Sequence, residues 1–306
     1  MTRKLFGRGV QGDLIGKIQV ALNDQGHDTK GVDEIYGKDT AAAVASFQEA
    51  QGLPVTGLVD DGTWLALMQS PIPGNDERTL QLTAVFEGHG YSFALGNWDG
   101  AWITWGIIGF TLKHGEIQKI LLNVNARAPQ LMDYAFGDKA QEILRIMEAS
   151  PAEQESWANS VSVQGRLAEP WRSGFERLGG APEVREEQRN RVREDYFLPS
   201  VVNAKKMGLR SELGMALCFD IQVQNGGIGR KARAAIRESV ERYPPAHELE
   251  LRQVIAEAVA EASRAAYRTD VRQRKMTVAT GRGSVHGHQF LLEDWGLSEE
   301  PAPELA

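Results

Sequence analysis

Residues 97–110, NWDGAWITWGIIGF, decide how this 306-residue chain is read. Three tryptophans, three glycines and one acid share fourteen positions, and the second half carries no charge. The G-I-I-G-F half has the apolar run and glycine punctuation of a core strand and turn. The N-W-D-G half admits two readings. Asp99 before Gly100 is ordinary turn composition, and it is equally where a carboxylate would stand at the lip of an aromatic cleft.

Upstream of this stretch, the first seventy residues form a self-contained pattern. GDLIGKIQVALNDQG carries Leu14, Ile15, Ile18 and Leu22 on one helical face, with Gly26 as a stop. TAAAVASFQEAQG repeats the design, with Thr40 as its expected N-cap and Val44 and Phe47 inward. DDGTWLALM opens a third helix that turns Trp64 and Leu67 to the core, and Gly37 and Gly57 suit turns of positive φ. QSPIPGNDER reads as a linker. The expected domains are therefore 1–70, a linker at 71–79, and 80–306.

Downstream, amphipathic patterns predict a mainly α fold with a short β segment. LQLTAVFEG, GEIQKILLNVNAR, DKAQEILRIMEA, PEVREEQRNRVREDYFLPSVVNAKKMG, SELGMALCFDIQVQ and GRKARAAIRESVERY all read as helical. HELELRQVIAEAVAEASRAAYRTDVRQRK reads as one long helix and EEPAPELA as a frayed tail.

Composition narrows the function. A net charge of −7 argues against a general nucleic-acid binder. A single cysteine, Cys218, excludes an intrachain disulfide. No apolar run is long enough for a membrane span, and MTRKLFGRGVQGDL lacks the apolar core of a secretory signal. Synthesis in the cytoplasm is expected, with later release or delivery to the site of action, and the chain is expected to be a monomer. His286 and His288 alternate as metal ligands can, but a third is missing, so a glycine-rich structural loop is the preferred reading. No metal and no cofactor are expected. Asn225-Gly226-Gly227 is either a cleft loop that binds substrate or a helix-ending turn.

Between residues 80 and 116 three acids could serve glycoside hydrolysis, which ordinarily needs two. Glu87 ends an apolar helix before GHG breaks it, and partial desolvation there suits a group that must hold and deliver a proton. Asp99 stands on a hydrated lip, and Thr104 could hold a water beside it. Glu116 is the third acid. Trp98 and Trp102 could line a sugar cleft with their ring faces.

Two resemblances extend this reading. Gly12, Asp13, Ile18, Gln19, Leu22, Val32, Asp33, Tyr36, Gly37, Thr40, Val44, Phe47, Gln48, Gly52, Leu53, Gly57, Thr63, Trp64 and Leu67 together resemble the peptidoglycan-binding type 1 domain. That likeness implies a non-catalytic module holding an enzyme against cell-wall glycan. Glu87, followed by D(99)-G-A-W-I-T(104)-W-G-I-I-G-F, resembles the active-site segment of the family 46 chitosanases, whose core is shared with phage-type lysozymes. RNRVREDYFLPSVVNAKKMGL and GGIGRKARAAI resemble further segments of that family. The likeness implies a two-lobed, lysozyme-like domain with Glu87 as acid, Asp99 as base and Thr104 positioning water. It also implies Glu116 in the place of an acid that holds an amino sugar.

The departures favour another glycan. Ala101 and Ile103 replace the arginine and tyrosine of the family motif, and the interval from Glu87 to Asp99 is short. With a peptidoglycan-binding module attached, the expected substrate is the β-1,4 backbone of peptidoglycan and the expected enzyme an inverting muramidase, a phage endolysin. The alternatives are an antibacterial effector of the same activity, a lytic transglycosylase, a chitosanase, or a non-catalytic wall-binding protein.

Overall fold

The computed structural model describes residues 3–306, which divide into two compact units. Among the described residues, one comprises 3–86 and 196–306; the other is the continuous stretch 87–195.

In the first unit the N-terminal module is three helices, Asp13–Asp24, Lys38–Ala50 and Asp61–Met68, with a strand Lys4–Phe6 antiparallel to Val59–Asp60. Leu14, Ile15, Ile18, Leu22, Val44, Phe47, Trp64 and Leu67 are buried, as their spacing predicts. Two buried glutamines hold its loops. Gln19 Nε2 donates to Asp33 Oδ1 and Thr40 Oγ1, while its Oε1 accepts from Glu34 N–H. Gln48 treats the 56–58 turn the same way. Thr40 is thus not a cap: the helix starts two residues earlier, behind Gly37, and the hydroxyl serves Gln19 and the Ile35 carbonyl. Gly37 has an ordinary negative φ, whereas Gly57 sits at +65° with the Ala41 carbonyl against it.

The stretch expected as a linker contains the start of a helix, Asn75–Glu87. Arg78 on that helix is buried and joins the module to the C-terminal part of the same unit. Its guanidinium donates to Glu212 Oε1 at 2.8 Å and to the Gly296 carbonyl, and Arg3 reaches the same Glu212 oxygen at 2.6 Å. Gln81 Oε1 accepts from Leu14 N–H, and Gly7 N–H donates to the Asp294 carbonyl.

At the centre of this unit lies the helix Glu212–Asn225, capped by Ser211 and buried without interruption from Glu212 to Ile221. Continuous burial needs a helix that is apolar all round, which LGMALCF supplies. The helices Leu198–Met207, Glu248–Ala262 and Arg268–Thr280 pack on it. The last two replace the single long helix expected: the chain breaks at Ser263 and restarts after a 3₁₀ turn at Ala265–Tyr267. The terminal segment is also not frayed. Ala302 is buried, and its N–H donates to the Arg210 carbonyl.

The second unit consists of helices Glu116–Arg127, Gln130–Phe136, Ala140–Glu148, Pro151–Ser160, Trp171–Gly180 and Pro182–Val192 with two small sheets. Aromatic rings form its core: Phe136 meets Phe175 edge-on at 5.4 Å, and Trp157 meets Trp171 edge-on at 5.1 Å. A π-helical turn, Arg193–Phe197, carries the chain back to the first unit, within a stretch whose periodicity alone reads as continuous helix.

Candidate active site

The stretch 97–110 is a loop feeding a hairpin. Strands Thr104–Trp105 and Phe110–Thr111 pair antiparallel, and Ala94–Leu95 lies on the other side of the first. Ile103, Trp105, Ile107, Ile108 and Phe110 are buried, so G-I-I-G-F is core strand and turn. Buried Gln188 clamps the turn: its Oε1 accepts from Ile107 N–H at 3.0 Å and its Nε2 donates to the Tyr91 carbonyl at 3.0 Å.

Asp99 is exposed on the loop before the hairpin, and its Oδ1 accepts from Ala101 N–H at 3.0 Å. It is therefore a turn residue by its backbone contact and a carboxylate open to solvent by its position. Asn97 shapes the loop. Its Oδ1 accepts from Gly100 N–H at 3.1 Å and from Trp102 N–H at 3.2 Å. On the other side its Nδ2 donates to Asn159 Oδ1 at 2.7 Å and its N–H to Ser162 Oγ at 2.8 Å. Lys113 closes the rim by donating to the Gly100 carbonyl at 3.0 Å.

The two tryptophans part company. Trp98 is 70% exposed, with an open ring face one residue before Asp99. Trp102 is only 7% exposed, so its ring is packing rather than platform. It holds φ at +70°, and its buried Nε1–H has no hydrogen-bond partner among the described residues. Each departure costs about 1–3 kcal/mol, an expense that clusters at sites where function dictates loop shape.

Glu87 is the last residue of the helix Asn75–Glu87 and half-buried, with its Oε1 out of solvent. Gly88, at φ +70°, ends the helix. Two residues on, the His89 ring stacks on Phe93 at 3.9 Å. A Cβ at Gly109 would lie 2.9 Å from the His89 ring and 3.2 Å from Thr104 Cγ2. The missing side chain at Gly109 thus lets the segment after Glu87 close on the strand that carries Thr104. Thr104 is half-buried, and no hydrogen bond occupies its hydroxyl among the described residues.

Glu116 is turned inward. Its Oε2 accepts from Thr111 N–H at 2.8 Å and from Thr111 Oγ1 at 3.0 Å. The same hydroxyl lies 2.7 Å from His114 Nδ1, so while it donates to Glu116 it accepts from the imidazole. Asn225 belongs to the other unit, where it ends the helix Glu212–Asn225 before Gly226 at φ +68°. The helix-ending reading of N-G-G describes it. His286 occupies the turn of the hairpin Arg282–Val285/His288–Leu291 and contacts Asp270 Oδ1 at 2.9 Å. Asn97, Gln188, His89 and Lys113 shape the candidate site without any sequence motif to mark them, except that Asn97, opening N-x-D-G, carries a turn signal.

The sequence matches the model of the putative peptidoglycan binding domain over residues 11–67 and that of glycosyl hydrolase family 46 over residues 87–279. No curated protein matches it. Among solved structures, the family 46 chitosanase of Gynuella sunshinyii in complex with chitotetraose is similar at 18% identity, with a TM-score of 0.50. That likeness covers 72% of this chain and 99% of that one. The chitosanase OU01, co-crystallised with substrate, is 21% identical over 71% of this chain and 95% of its own, with a TM-score of 0.48. Mainly helical, with a small binding module ahead of a lysozyme-like domain, the fold is the one the sequence predicts. The chain is a glycoside hydrolase, and it belongs to glycosyl hydrolase family 46.

Proposed function

We propose that the chain cleaves the β-1,4 backbone of peptidoglycan as an inverting muramidase. The observation that carries this reading is the pairing of a peptidoglycan-binding module with a family 46 domain in one chain. Glu87 protonates the glycosidic oxygen as the bond to the anomeric carbon breaks. Asp99 takes a proton from a water that attacks the opposite face of that carbon, and the Thr104 hydroxyl orients the water. Such an attack needs roughly 6.5–9.5 Å between the two carboxyl groups. The exposed face of Trp98, next to Asp99, stacks a pyranose ring of the bound strand. The biological role in this reading is wall lysis by a phage endolysin, made in the cytoplasm and acting on the cell wall in the periplasm after holin-type release; delivery by a secretion machine is the alternative route.

Chitosan hydrolysis is the second reading, favoured by the chitosanases among the similar structures. Digestion of purified peptidoglycan and of chitosan by the wild type and by Glu87→Gln, with mass spectrometry of the products, separates the two. New reducing muramic acid ends made by the wild type alone support the muramidase. Anhydro ends move the assignment to a lytic transglycosylase and remove Asp99 as base. Cleavage of chitosan alone makes the chain a chitosanase.

A further inference from the structure

The N-terminal module carries four aromatic side chains of Phe, Tyr or Trp: Phe6, Tyr36, Phe47 and Trp64. All four are buried in its core, at 3% exposure or less. No such ring face is left on this module for a pyranose to stack upon, and stacking is the ordinary way a protein surface grips a glycan. What the module offers instead is a cavity of about 490 Å³ between the helix Lys38–Ala50 and the loop 53–58.

That cavity has a definite chemistry. Methyl groups of Ala41, Ala42 and Ala45 face it from the helix, and Val55, 60% exposed, and Leu58 face it from the loop. Arg8 and Lys38 also line it, and neither makes a hydrogen bond or ion pair among the described residues. The lining acid, Asp294, is already engaged by Lys4, so the uncompensated charge is positive.

The loop wall is held in place although Val55 is exposed and Leu58 only half-buried. Gln48, fully buried, accepts from Thr56 N–H and Gly57 N–H at 2.9 Å each and donates to the Leu58 carbonyl at 2.8 Å. Tyr36 adds a hydrogen bond from its hydroxyl to the Gly57 carbonyl at 3.0 Å. A loop fixed this firmly does not hold a valine in water by accident of mobility; the pocket is preorganised for a ligand.

We infer that this module holds peptidoglycan by its peptide and not by its sugar. The cavity takes a short peptide of small side chains that ends in a free carboxylate, such as the alanine-terminated stem peptides of the wall. The carboxylate accepts from Lys38 Nζ and the Arg8 guanidinium, and the alanine methyls pack against Ala41, Ala45 and Val55. This inference rests on the wall as substrate, but its test reads binding and not cleavage.

Calorimetric titration of the full chain with three probes decides it: a synthetic stem pentapeptide ending in D-Ala-D-Ala, the same peptide as its C-terminal amide, and tetra-N-acetylchitotetraose as a peptide-free glycan. The free-acid peptide should bind, the amide should bind at least about tenfold more weakly, as loss of a charge-assisted hydrogen bond implies, and Lys38→Glu and Arg8→Glu should each weaken the acid form similarly. Both positions are exposed, and unchanged thermal unfolding shows the variants folded. Ala45→Phe, which fills the cavity without altering charge, should also abolish binding. Glycan binding by the Glu87→Gln chain that Ala45→Phe and Lys38→Glu weaken, or peptide binding indifferent to all three substitutions, overturns the inference. Peptide binding by a chain that leaves peptidoglycan uncut would defeat the muramidase reading and leave this one standing.

Discussion

At the scale of single residues, the site is governed by side chains that shape backbone. Asp99 points where it does because Asn97 holds Gly100 and Trp102 from one side and is itself held by Asn159 and Ser162 from the other. Asn97→Ala deletes all the side-chain bonds at once and leaves the strained Trp102 backbone unsupported. Misplacement of a reacting group by about 1 Å can cost on the order of 10²-fold in rate. If Asp99 is the base, as proposed above, the expected result is a large fall in kcat with a small change in KM, since Asn97 holds the loop that carries Asp99. Steady-state kinetics on soluble oligosaccharides check this, and a change confined to KM would place Asn97 in sugar binding instead.

At the scale of elements, the hairpin is a rigid shelf pinned from outside its own sheet. The buried Gln188 amide spans the 106–108 turn and the Tyr91 carbonyl, and a Cβ at Gly106 would meet it. Gln188→Ala removes the buried acceptor of Ile107 N–H and a buried donor to the Tyr91 carbonyl, which at about 1–3 kcal/mol per group should cost about 2–6 kcal/mol, with a small cavity added. Urea unfolding measures that loss; Gln188→Glu, which keeps one acceptor for Ile107 N–H, should recover part of it unless the charge is too costly to bury. Much at this scale was legible: G-I-I-G-F announced strand and turn, and the module's Leu14–Ile18–Leu22 face announced its helix. What escaped were interactions without a period. Gln19, Gln48 and Gln188 read as ordinary helical polar residues, and nothing in their spacing says which loop they will hold. The break at Ser263 escaped because its helix-forming alanines lie on both sides, and the terminal segment because a short polar tail gives no sign of the groove that receives it. The candidate residues Glu87, Asp99 and Thr104 stand out because a family motif marks them, whereas Asn97 and Gln188, which shape the backbone around them, carry no such mark.

At the scale of the whole molecule, the binding module and the C-terminal helices of its unit are tied through buried charge. Glu212 is inaccessible to solvent and accepts from Arg3, Arg78 and Ser298. Glu212→Ala would strand the buried Arg78 and should cost about 3–5 kcal/mol; hydrogen exchange should show module and C-terminal helices losing protection together, whereas loosening of the module alone would reveal a tethered domain. A second buried cluster sets the acid limit of the same unit. Burial by itself would raise the Asp220 carboxyl, but Arg274 and Lys275 overcome that and hold it at about 2. Arg274 contacts both carboxylate oxygens, at 2.7 and 3.0 Å, and Lys275 Nζ donates to Oδ2 at 2.5 Å. In the unfolded chain an aspartate titrates near 3.9, so folding lowers this group's pKa. Its contribution is fully present above about pH 4 and is lost as the pH falls through about 2, amounting to about 2–3 kcal/mol. Urea midpoints of the wild type should therefore drop across that window, beyond the fall caused by other carboxylates. Asp220→Asn should lack this component of the acid slope and should already be about 3–5 kcal/mol less stable at pH 7, because two buried cations lose their anion. A variant with wild-type stability at neutral pH and an unchanged acid slope would show that solvent, and not Asp220, balances Arg274 and Lys275.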